Sequence, residues 1–270
     1  MNFKMLIFGE SGTGKTFCTR TLLDAGYKVR FLAAENNAIT GTKIAIQHWE
    51  KEHKKKVPEG DFALMIPARP KRSLADLVAS QEQFIGKTLD SQFKTADPKR
   101  KNYTRYLEVL KATVAFTDTE SGKTYGSVDD WGEDTVLVVD SLTILCEAIK
   151  QSVIGGKLAV SQPEWGVMQG ILVEFLRQLT EDLRCNLVVI AHPNKEIDPI
   201  LGVQKIYPAN LGQALNNLLP TYFTDVVWSF RDKKKFYWST DHRQAVTRNT
   251  MLPIEEKMEQ DFKLLKQDTK

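Results

Sequence analysis

Cysteine is scarce in this chain: three of 270 residues, at positions 18, 146 and 185. They are scattered and show no metal-ligand spacing, so neither a disulfide framework nor a cysteine metal site is expected. A reducing interior is the simplest setting. No apolar run approaches the roughly 18 residues of a membrane span. The first eight residues run straight into a glycine-rich segment, unlike a secretory leader. Net charge is only +3, too small to demand a polyanionic partner. Internal repeats and low-complexity linkers are missing too. Basic residues do gather at 51–56, 69–72, 99–105 and 233–235, where a solvated face or loop is the plain account. What remains is ordinary for a globular protein, with 42% hydrophobic and 26% charged residues. The length suits one large α/β domain over 1–270, or a core with an insertion.

Along the chain, short apolar runs alternate with stretches of helical period. Residues 4–8 and 27–34 read as strands, with 62–66 as a third, and a helix is expected over about 15–25. Helical spacing returns at about 73–93 and 103–115, with a polar basic loop at 94–102. Residues 118–134 read as turns or a hairpin. The run 135–140 (Thr-Val-Leu-Val-Val-Asp) is apolar without alternation, as a strand buried on both faces should be. A helix is expected over about 142–153, broken at Gly155-Gly156-Lys157. Ser161, Pro163 and Glu164 form the signature of a capping box with proline in the first turn, opening a helix to about 184. Residues 186–191 form another buried strand. The stretch 195–219 lacks a period and reads as a long loop. Residues 225–230 and 235–239 read as a hairpin, and 254–265 as a charged amphipathic helix. This alternation predicts a mostly parallel sheet with helices on both faces. Residues 51–134 are the candidate insertion.

Gly9-Glu10-Ser11-Gly12-Thr13-Gly14-Lys15-Thr16 matches the P-loop pattern in full, between a predicted strand and a predicted helix. Its glycines permit close backbone approach to phosphates, and amide groups at the start of a helix favour an anion. Lys15 is expected on the β- and γ-phosphates of ATP and the Thr16 hydroxyl on Mg²⁺, with Phe17 beside them. Asp140, ending its apolar strand, is the expected second Mg²⁺ holder.

Several stretches resemble the RecA-like ATPases, and among them the short RecA-core ATPases that bacteriophages use in recombination and single-strand annealing. They are Gly9 to Thr16, Phe31-Leu32-Ala33-Ala34-Glu35, 136–143 with Asp140-Ser141-Leu142-Thr143, Gln162-Pro163-Glu164-Trp165-Gly166, and Val188-Val189-Ile190-Ala191-His192. Together they span about half of the chain. The resemblance implies a RecA-like core that hydrolyses ATP and assembles as a homo-oligomer, ring or filament, in the (host) cytoplasm. It makes Glu35 the carboxylate that activates water, and His192 the sensor of the γ-phosphate. The plainer accounts are a solvated strand-end glutamate and a histidine that only caps its strand. It places single-stranded DNA at two loops, 155–157 with Lys157, and 195–216 with Lys195, Lys205 and Tyr207. It puts a finger reaching a neighbour's γ-phosphate at Arg248, with Arg243 as the rival. Two other classes remain: a nucleotide-switched phage assembly or interaction protein that does not bind DNA, and a small-molecule kinase, for which no lid is identifiable.

Overall fold

The computed structural model describes residues 2–69, 73–82, 103–155, 157, 159–197 and 202–266. Eight strands form one sheet in the order β10-β9-β8-β1-β5-β4-β2-β3. They are β1 (Lys4–Gly9), β2 (Lys28–Ala33), β3 (Phe62–Met65), β4 (Thr135–Asp140), β5 (Asn186–Ala191), β8 (Asp225–Asp232), β9 (Lys235–Ser239) and β10 (Met258–Glu259). From β3 across to β8 every neighbouring pair is parallel. The hairpin of β8 and β9, with β10 beyond it, closes that edge antiparallel. This is an α/β fold of the P-loop NTPase type with a C-terminal hairpin.

Strands β1, β4 and β5 are buried along their whole length. Their side chains divide by the period of two between opposite faces. Leu6, Phe8, Leu137, Val139, Leu187 and Val189 enter one core, with Leu145 and Ile149 from helix Leu142–Ile154 and Leu172 and Phe175 from helix Gln162–Arg177. Met5, Ile7, Val136, Val138, Val188 and Ile190 enter the other, with Leu22, Ala38 and the C-terminal Phe262 and Leu265. Helices on both faces explain why these strands lack alternation. The capping box at Ser161 and Glu164 forms as expected. Of the stretch 51–134, β3 joins the sheet beside β2, and Val109, Ala112, Phe116 and Trp131 pack into the first core.

Several elements differ from expectation. After the P-loop comes a 3-10 turn, Phe17–Arg20, and one α turn, Thr21–Asp24, in place of a helix over 15–25. Thr19 and Thr21 hydroxyls donate to the carbonyls of Thr16 and Cys18, and Gly26 turns the chain at φ 77°. Such local side-chain bonds compete with a regular helix. The 18-residue helix Asn36–His53 has no counterpart in the sequence reading. Its buried positions, Ala38, Thr42, Ala45 and Trp49, follow helical spacing, but three are small or polar and give a faint apolar signal. The expected loop over 195–219 instead opens with an antiparallel ribbon, β6 (Pro193–Ile197) and β7 (Gln204–Pro208). The tail is not an amphipathic helix. Met258 pairs with Trp238, and a 3-10 turn, Phe262–Lys266, drops Phe262 against Trp238 in the core. Of the helix expected over 73–93, Leu74–Glu82 is helical, but Leu74 and Val78 face solvent rather than a core. Residues 83–102, including the loop expected at 94–102, lie outside the described residues, as does Gly156.

Candidate functional site

The P-loop leaves the end of β1 and is held from behind. Gly9 pairs with Ser229 of β8, whose hydroxyl donates to the Thr13 carbonyl at 3.0 Å. The Gln260 amide reaches the Thr13 carbonyl at 3.1 Å and the Ser229 hydroxyl at 2.8 Å. Gly12 and Gly14 adopt φ of 76° and 87°, which side chains resist, and a β-carbon on Gly14 would lie 2.8 Å from the Phe236 ring. Lys15 is buried beneath the loop, donating to the carbonyls of Gly9 and Glu10 at 2.7 Å each. Burial pulls its amine below the usual lysine range, against the attraction of Asp140.

Strand order brings the other groups to this loop. Asp140 at the end of β4 is in register with Ala33 of β2 on one side and Ile190 of β5 on the other. Glu35 and His192 each lie two residues beyond those partners, so they flank Asp140. The Thr16 hydroxyl donates to the Asp140 carboxylate at 2.6 Å. Burial lifts the Asp140 carboxyl to about 6. The His192 ring stands 3.9 Å from the Glu35 carboxylate, longer than a hydrogen bond. That imidazole holds the Glu35 carboxyl below its usual range, against the opposing effect of burial. The Thr143 hydroxyl accepts from the His192 backbone N–H at 3.0 Å and so fixes the turn out of β5.

One cavity gathers Ser11 to Phe17 with Glu35, Asp140 and His192, and with Asn37, Gly41, Ile44 and Phe236. Among the described residues its lining carboxylates are Glu35 and Asp140. A hydroxyl and a buried carboxylate in contact form an oxygen donor pair of the kind that Mg²⁺ takes, with phosphate and water as its other ligands. The looped backbone with its buried amine fits a phosphate chain. The residues present therefore fit Mg²⁺ and a nucleotide.

A family model described as an AAA domain matches residues 1–251. The chain belongs to that family. No curated protein matches the chain. As an AAA domain it is a P-loop domain of the ATPase type, which accounts for the phosphate-shaped loop and the strand-end carboxylates.

The other residues singled out in the sequence lie elsewhere in this AAA domain. Lys195, on β6, pairs with Glu10 of the P-loop at 2.5 Å. Lys157 pairs with Glu164 of the capping box at 2.6 Å. Lys205 is half-buried on β7, and the Tyr207 ring is buried at 8% exposure. Burial leaves little of the Tyr207 side chain exposed for a base to stack on. Arg248 bridges to Val226 of β8 through its backbone and donates to the Thr221 carbonyl at 2.8 Å, outside the P-loop cavity. Arg243 is exposed. The segment following Arg248 is anchored by the buried Asp225 carboxylate, which accepts the backbone N–H groups of residues 250, 251 and 252 at 2.9–3.0 Å.

Gly41, Phe236, Ser229 and Gln260 escaped the sequence reading. Gly41 lies one helical turn and more beyond Glu35, where a β-carbon would press on the Thr16 methyl at 3.1 Å. No local pattern marks such residues, because each is defined by a contact distant in sequence.

Proposed function

We propose that the chain binds Mg-ATP in the P-loop cavity and hydrolyses it, with Glu35 as general base, while acting on single-stranded DNA as a RecA-like oligomer. One observation carries the ATPase reading: a P-loop hydroxyl bonded to a buried strand-end carboxylate, with a second carboxylate on the neighbouring strand end in the same cavity. Lys15 supplies positive charge to the β- and γ-phosphates. Thr16 and Asp140 hold Mg²⁺, which neutralises charge on the phosphates when bound. Glu35, kept ionised by its neighbours, orients the attacking water and takes its proton. His192 stands against Glu35 and reports the state of the γ-phosphate to the ribbon that follows it.

The DNA reading rests on that continuity. The ribbon of β6 and β7 leaves β5 directly after His192, and carries Lys195 and Lys205 as phosphate partners. The Lys195 pair with Glu10 joins the ribbon to the P-loop as well. Role in phage-type recombination, annealing or replication follows from the resemblance to RecA-core ATPases. Arg248, outside its own chain's cavity, is offered to the neighbouring subunit. A second reading has observations in its favour: Tyr207 is buried, and Lys157 and Lys195 are each already paired with a glutamate of the same chain. On that reading the chain is a nucleotide-switched interaction protein that does not bind DNA. ATP turnover with and without single-stranded DNA separates them. Stimulation of several-fold, lost steeply with added salt, supports the first; unchanged turnover supports the second.

A further inference from the structure

Ala34, immediately before Glu35, is held on both sides of its peptide. Its N–H donates to the Asp140 carbonyl at 2.6 Å, tying it to β4. Its carbonyl accepts from two guanidinium groups, one of Arg105 and one of Arg69, the latter at 3.3 Å. Arg69 also donates to the Asn36 side-chain oxygen at 2.5 Å. The residues on either side of Glu35 are therefore clamped by two arginines that belong to the one stretch of chain for which no motif gives a role. Arg105 opens the helix Arg105–Val114, whose Val109 and Ala112 are anchored in the core, so its backbone is firmly placed.

Two like charges on one carbonyl repel each other, and a single bond to a neutral acceptor does not need both. Burial, and after it the Arg69 charge, pulls the Arg105 guanidinium below its usual range, while the Glu35 carboxylate counters them. A nearby anion makes the pairing favourable, and Glu35 is the carboxylate at hand. Glu35 itself has extended backbone, φ −134° and ψ 159°, just before helix Asn36–His53 begins. A residue at such a junction keeps its direction only if its neighbours are fixed.

We propose that Arg105 and Arg69 are positioning residues for the catalytic carboxylate: the two guanidinium groups clamp the Glu35 backbone in cis and so set the rate of ATP hydrolysis. The inference rests on Glu35 acting as the base. Displacing either guanidinium then changes turnover without touching the P-loop.

The test compares the parent with Arg105→Ala, Arg105→Lys, Arg69→Gln and Glu35→Gln in the full chain, measuring ATP turnover, affinity for a fluorescent ATP analogue and thermal midpoint. Arg105→Ala is expected to lower kcat by on the order of 10- to 100-fold, the scale of a misplaced catalytic group, with nucleotide affinity within about twofold of the parent. Arg105→Lys should recover part of the loss, since an ammonium retains the charge and one bond to the carbonyl. A defect of folding alone would lower the thermal midpoint and be no better in Lys than in Ala. If Arg105→Ala does not fold, Arg69→Gln carries the same expectation, with a smaller loss of kcat at unchanged affinity. The proposal is overturned if Glu35→Gln is inactive while Arg105→Ala and Arg69→Gln keep the parent kcat, or if their loss lies in nucleotide affinity. Full turnover in Glu35→Gln overturns the assignment of the base itself, a separate outcome.

Discussion

Gly9 runs so close to Ser229 that a β-carbon on it would sit 2.1 Å from the Ser229 carbonyl oxygen. The contact joins the first P-loop residue to strand β8 across the backbone, where nothing flexible can yield. Gly9→Ala should therefore destabilise the protein by about 2 kcal/mol or more, the cost of forced overpacking, and displace the loop. Chemical denaturation and nucleotide affinity measured together check this. An Ala variant as stable and as tightly binding as the parent would show the contact to be loose.

Lys15→Ala removes the buried amine from beneath the loop. The two carbonyls it bonds, Gly9 and Glu10, lie at a cavity where water can replace it, so the fold should survive. ATP turnover should vanish. Circular dichroism and phosphate release on the same sample decide the matter, and parent-rate turnover in a folded variant would move the phosphate site elsewhere.

Glu35→Gln keeps the shape of the side chain and loses the base. Mg-ATP binding should persist while hydrolysis slows by on the order of 10²-fold or more. Single-turnover kinetics read the chemical step directly. If hydrolysis continues unchanged, His192 is the next group to examine.

Asp140 gives a pH-dependent expectation for the nucleotide-free protein. Its carboxyl is lifted from an ordinary 3.8 to about 6 by burial. Between those values the folded chain keeps a proton that the unfolded chain has released, so stability falls as pH rises through this window and stays reduced above it. Asp140→Asn retains an acceptor for the Thr16 hydroxyl and removes the buried charge. Without nucleotide or Mg²⁺, the variant should be more stable than the parent at pH 8 by on the order of 1–3 kcal/mol. The advantage should shrink towards pH 4. Thermal melts at the two pH values test it, and an advantage equal at both, or none at pH 8, counts against the assigned cause. Mg-ATP should stabilise the parent and not the variant.

Arg248 lends itself to a mixing experiment. Arg248→Ala alone should be inactive, yet regain partial turnover when combined with Lys15→Ala protein, since some boundaries in mixed assemblies would pair an intact P-loop with an intact Arg248. Absence of rescue, in assemblies shown to exchange subunits, argues against a role across the boundary. Arg243→Ala, run beside it, tests the rival.

Local sequence was enough for whatever depends on neighbours in the chain. Residues 136–139 and 187–191 are apolar without interruption, as a strand covered on both faces should be, and both strands appear with the expected bounds, 135–140 and 186–191. The P-loop glycines and Lys15 announce themselves because phosphate binding needs backbone conformations that few other residues allow. Ser161 and Glu164 fix the start of a helix through bonds three residues apart. Where local signals were weak or misleading, the tertiary structure decided. Helix Asn36–His53 is built on Ala38, Thr42 and Ala45, small buried side chains that a hydropathy pattern barely registers. Residues 254–265 read as a charged amphipathic helix, yet a strand and a short 3-10 turn bring Phe262 against Trp238 and Leu265 into the same core. The site itself belongs to this second kind. Each buried strand is apolar on both faces alike, so nothing local states that β4 lies between β2 and β5. That order sets Glu35 and His192 on either side of Asp140, and bonds distant in sequence hold Arg69 and Arg105 at the carbonyl of Ala34.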